Sequence, residues 1–140
     1  MSIFFFTAVF FLLLLAAVLI GRAVRPHRIA KKHARKICGL YVQYSQTEHS
    51  EEGRWEKTAE AYLRSRKYSG PDLESLVTLI RCSCEDFMAR QDVLKTNRQK
   101  AAELVRRVLL AELSLRGLTR RAGEVERIHG LAEDAAGKFF

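Results

Sequence analysis

Residues 3–20, IFFFTAVFFLLLLAAVLI, hold one polar side chain, Thr7, and no charge. At 1.5 Å per residue such a stretch makes about 27 Å of helix, close to the roughly 30 Å hydrocarbon core of a bilayer. Fourteen of the eighteen residues are Phe, Leu, Ile or Val, and their summed preference for insertion is on the order of 4–8 kcal/mol. A cleavable signal peptide needs a basic start, a shorter apolar run and a small-residue cleavage site. Met1-Ser2 carries no basic side chain, and after Ile20 the chain passes almost directly into arginine. A buried core helix of this length would be hard to cover with the small domain that follows. The segment therefore reads as a membrane anchor.

Its flank gives a direction. Arg22, Arg25, Arg28, Lys31, Lys32, Arg35 and Lys36 all follow the apolar run, and residues 1–47 contain no Asp or Glu. The positive-inside rule places that side in the cytoplasm, an inner (plasma) membrane arrangement with the N-terminus out and the C-terminal domain in. These seven cations also suit anionic lipid headgroups at the membrane surface. The net charge of +8 divides into +7 over residues 1–47 and +1 over the rest. The excess thus sits beside the apolar segment. The C-terminal region has no basic groove with interleaved aromatics, which argues against nucleic acid as a partner.

Beyond the span the pattern is helical, and the expected fold class is all-α. One transmembrane helix (residues 1–24) is followed by a basic juxtamembrane amphipathic helix (25–47). A small cytoplasmic helical bundle, or helical hairpins, occupies 48–140. Ile29, His33, Ile37, Leu40, Tyr41 and Tyr44 fall near one face of a helix over 26–44, either continuing the span with a bend at Pro26 or lying along the membrane surface. His27 and His33 are read there as surface histidines. "SQTEHSEEG", residues 45–53, is the first polar loop. Trp55, Ala59, Tyr62 and Leu63 stripe a helix over 51–66. Leu73, Leu76, Val77, Ile80, Cys84, Phe87 and Met88 stripe one over 71–90. A third spans 96–116, with Thr96 and Gln99 at capping-box spacing, an apolar face including Leu104 and Val108, and Gly117 as C-cap. Without Gly or Pro between them, the last two are readable as one helix or two. A short helix over 119–136 carries Val125, Ile128, Leu131 and Ala135.

Trp55, Tyr62, Leu73, Leu76, Val77, Ile80, Phe87, Leu104 and Val108 are the candidates for helix packing or for a partner interface with another protein or a second copy. Phe139-Phe140 docks on a partner, on the membrane interface, or on the domain's own core. Cys38, Cys82 and Cys84 read as free thiols in a reducing compartment. Cys82 and Cys84 point about 200° apart on a helix and do not chelate one ion. No phosphate-cradling glycine loop, nucleophile triad or metal-spaced carboxylate pair appears, so no enzyme activity, metal or cofactor is expected.

Residues 53–80, GRWEKTAEAYLRSRKYSGPDLESLVTLI, resemble the cytoplasmic tail of phage holins of the LL-H-like class. Gly53 and Lys57 lead into an Ala/Leu helix (Ala59, Ala61, Leu63). A polar turn and an acidic-leucine helix (Asp72, Leu73, Glu74, Leu76, Ile80) follow. The chain departs from that family at Arg81-Cys82-Ser83-Cys84 and continues well beyond the similar segment. The resemblance implies oligomerisation in the inner membrane and a lysis lesion. The residues themselves point to a membrane-anchored interaction protein.

Overall fold

The computed structural model describes residues 2–47, 51–89, 96–117 and 122–140, excepting the side chains of 21–25, 52 and 122. Among the described residues the chain forms five α-helices and no strand: α1 (Ser2–Gln46), α2 (Glu52–Ser65), α3 (Gly70–Ala89), α4 (Asn97–Leu115) and α5 (Ala122–Phe139). The chain divides into two compact units, Met1–Lys32 and His33–Phe140.

In the first unit, Ser2–Ile20 is long and apolar enough to cross a membrane, and none of it is buried. Phe4 is 83% exposed and Ile3 77%. The Thr7 hydroxyl donates to the Ile3 carbonyl at 2.8 Å, so the one polar group of residues 3–20 is satisfied inside its own helix. α1 runs through Pro26, and the stretch from residue 26 is part of it.

The second unit is a helical module with a single core. α2 packs on α3, α3 on α4 and α4 on α5. The unit starts at His33 rather than at residue 48, because Ala34, Ile37, Cys38, Leu40 and Tyr41 of α1 are all buried in it. They recur at three- and four-residue steps, the spacing that keeps one helical face turned inward. Side-chain bonds tie this segment to the rest. Trp55 Nε1 donates to the Leu40 carbonyl at 2.9 Å, and Tyr41 Oη donates to Asn97 Oδ1 at 3.1 Å.

Local signals set the helix ends. Thr96 is extended and accepts from the Gln99 N–H, while the Gln99 side chain accepts from Thr96 N, which makes a reciprocal capping box. This box makes α3 and α4 separate helices, although residues 90–95 between them lie outside the described set. Gly117 closes α4 with φ +69°. At the end of α2, Lys67 takes φ +70°, with Lys67 N donating to the Arg64 carbonyl and Tyr68 N to the Leu63 carbonyl. This is a Schellman closure with lysine at the position where glycine is usual.

Several apolar residues of the expected stripes stand outside the core. Ile29 is 50% exposed, Met88 51%, Val125 43% and Leu115 39%. Met88 and Leu115 fall in the last turns of α3 and α4, where a stripe outruns the neighbour that would cover it.

Phe139 is half-exposed, and its ring edge comes within 3.7 Å of where a Gly39 side chain would begin. That is ordinary van der Waals contact, so a methyl group fits. Gly39→Ala is expected to raise stability by about 0.5–1 kcal/mol through helix propensity. Denaturant titration of the detergent-solubilised chain checks this, and a lower midpoint would mean that the Phe139 contact tolerates no filling.

Candidate functional site

Among the described residues, the module buries a polar cluster around His33 and Glu112. His33 of α1 is 3% exposed and Glu112 of α4 is 4% exposed. His33 Nε2 lies 2.5 Å from Glu112 Oε1, and His33 Nδ1 lies 2.6 Å from the Tyr62 hydroxyl of α2. A carboxylate only accepts, so Nε2–H donates to Glu112. In the neutral ring Nδ1 then accepts from Tyr62 O–H. The His33 and Tyr62 rings also stack, with centroids 5.8 Å apart. The second Glu112 oxygen faces Arg116 Nη2 at 3.9 Å, one turn along α4. Burial pushes the Tyr62 phenol up to about 12, with Glu112 adding to the rise and Arg66 opposing it. Tyr68 is raised for the same first cause.

The placement of His33 corrects its reading as a surface histidine of the basic segment. It is sealed in the core because its two ring nitrogens find partners from α2 and α4. Neither ring nitrogen faces solvent, which makes the cluster a strut between three helices. Glu112 had no sequence signal of its own. It sits 79 residues from His33, and only the packing of α4 brings it there.

The residues expected to pack or bind now have places. Trp55, Leu73, Leu76, Val77, Ile80, Phe87, Leu104 and Val108 are buried in the module, and Tyr62 is half-buried beside His33. They therefore meet one another within one chain and are not available as an outer surface. Phe87 stacks edge-on with Tyr41, centroids 6.3 Å apart, and receives the Arg107 guanidinium 4.8 Å over its ring. Trp55 stacks edge-on with Tyr44. It also floors an open pocket of about 310 Å³, whose other lining residues are Gln43, Gln46, Thr47, Glu51, Arg54 and Thr58.

Of the seven expected membrane-surface cations, the side chains of Arg22 and Arg25 lie outside the described set. Arg28, Lys32 and Lys36 are exposed, and Lys31 is half-buried. Arg35 instead pairs with Asp134 of α5 at 3.6 Å. The thiols separate as a helix dictates, Cys82 exposed and Cys84 buried, with Cys38 buried as well.

Comparison with family models, with curated proteins and with solved structures finds no match for this chain. The resemblance to LL-H-like holins rests on residues 53–80 and on the layout of an apolar segment, a basic stretch and a helical tail.

Two outcomes follow from this geometry. Removing one partner of the His33–Glu112 pair strands the other in the core, so Glu112→Leu and His33→Leu should each cost about 3–5 kcal/mol. The double variant should cost much less than their sum, and a denaturation cycle on the four chains reads the coupling; strict additivity would show the pair is not a unit. The second outcome is alkaline sensitivity. Burial raises the Cys38 thiol to about 11 and Cys84 to about 12, from an ordinary value of 9.0. A raised folded value favours the protonated form. Its stabilisation is complete below the unfolded value and is lost as pH rises through the folded one. Stability should thus fall from about pH 9 upward, and Cys38→Ala with Cys84→Ala should flatten that slope. An identical pH profile in the variant would exclude the thiols as its source.

Proposed function

We propose that this chain is a single-pass membrane protein, N-terminus outside, which tethers the module His33–Phe140 to the cytoplasmic face for protein contacts there. The observation that carries the reading is that none of Ser2–Ile20 is buried. An exposed apolar helix of this length is not a surface that water tolerates, and a bilayer is the medium that covers it. The cations that follow it, with no acid before residue 48, set the orientation.

The apolar stripes are occupied in the module's own core, so partner contact falls to its outer surface. The concave part is the pocket over Trp55, where Gln43, Gln46, Arg54 and Thr58 offer hydrogen bonds around an aromatic floor. A protein segment with polar side chains suits that lining.

A lesion-forming, holin-like role would need the span itself to associate. Thr7 is already bonded to its own backbone, and the span otherwise offers only apolar side chains. That supports an anchor over a pore.

Cys82 is a natural reporter, being the exposed thiol of the three. A membrane-impermeant maleimide should label it in inverted vesicles and not in intact cells, with Cys82→Ser abolishing the signal. Labelling in intact cells would reverse the orientation. Replacing residues 3–20 by polyleucine should leave membrane potential and photocrosslinks from Gln43 unchanged. Depolarisation that requires the native span would favour the holin-like role instead.

A further inference from the structure

Several arginines of the module are matched by acids. Arg64 pairs with Glu60, Arg81 with Glu56, Arg106 with Glu103 and Glu133, Arg107 with Glu103, and Arg127 with Glu124. Even Arg35, in the basic segment itself, is taken up by Asp134. Arg28 and Lys32 differ. Both are exposed, and residues 1–47 supply no acid that could neutralise them locally. Four residues apart on α1, they share one helical face.

Their distance from the apolar segment decides what they meet. Val24 is the last apolar residue before Pro26 and Arg28, and Ile29, itself half-exposed, stands between the two cations. At 1.5 Å per residue Arg28 lies about 6 Å beyond Val24 and Lys32 about 12 Å beyond. The field of an anionic leaflet decays over about 8 Å at physiological salt. Arg28 is inside that length. Lys32 is brought near it by its own flexible stem, whose head extends toward phosphate. Lys36 is a further turn along the chain and beyond it.

Resting on the anchor reading above, we propose that Arg28 and Lys32 form a headgroup-binding pair that selects anionic glycerophospholipids, through their phosphodiester charge, over zwitterionic ones. Arg35 and Lys36 take no part in it. The seven expected surface cations thereby resolve, among the described side chains, into a lipid-facing pair and residues with other positions or partners.

The test uses the full chain reconstituted in phosphatidylcholine vesicles, with trace spin-labelled phosphatidylglycerol or spin-labelled phosphatidylcholine. Electron paramagnetic resonance reads the fraction of each label restricted at the protein. The wild-type chain should prefer the anionic label by about 25-fold at low salt, about fivefold for each of the two cations, and the preference should shrink as salt rises. Arg28→Gln with Lys32→Gln should cut the ratio at least fivefold, leaving only what Arg22 and Arg25 supply, with helicity by circular dichroism unchanged. Arg35→Gln with Lys36→Gln should keep it. Equal restriction of both labels by the wild-type chain would overturn the proposal, as would a preference that Arg28→Gln with Lys32→Gln leaves undiminished. Loss of the preference to inorganic phosphate at constant ionic strength would assign the pair to free phosphate and overturn the lipid assignment. If neither label is restricted at all, no span is present in the bilayer, and the anchor reading itself fails.

Discussion

The helical module depends on one buried imidazole. His33 is the first residue of the compact unit, and it joins α1 to Glu112 of α4 and Tyr62 of α2. A buried carboxylate or histidine without a partner would cost several kcal/mol, so this arrangement is stable only when all three helices are in place together. Tertiary register and polar satisfaction are therefore the same requirement here. The bonds from Trp55 to Leu40 and from Tyr41 to Asn97 extend the tie along the same stretch of α1.

This tie explains why the end of α1 belongs to the module. Its inward residues, from His33 to Tyr41, are apolar except for His33, and His33 has its two partners. The outward residues stay charged. One helix thus carries three chemistries in succession: an apolar stretch with its only polar group self-satisfied, exposed cations at Arg28 and Lys32, and a core face. In the proposed function these become the anchor, the lipid contact and the root of the tethered module.

Much of the helical organisation was legible from spacing. The stripes over α2, α3 and α4 named Trp55, Leu73, Ile80, Phe87, Leu104 and Val108, and all of them are buried. Thr96, Gln99 and Gly117 marked the ends of α4 because capping depends on residues three or four apart. Spacing failed where the deciding neighbour is distant. It put Met88, Ile29 and Val125 on apolar faces, yet no neighbouring helix covers them. It placed Arg35 among the surface cations, while Asp134 claims it from α5. It drew the module boundary at 48 although it put Ile37, Leu40 and Tyr41 on one face, because spacing does not say whether such a face meets other helices or the membrane surface.

What the sequence by itself determined is whatever local periodicity and composition control: an all-helical chain, a first segment of membrane-spanning length, and a charge excess confined beside it. Those follow from side chains within a few turns of each other. What only the tertiary structure decided is which polar groups find partners. His33 is buried because Glu112 and Tyr62 arrive from helices far along the chain, and Arg28 and Lys32 stand apart from Arg35 because Asp134 reaches only the last. A helical pattern specifies the face a residue occupies. The charge or hydrogen bond waiting opposite that face is set by packing alone.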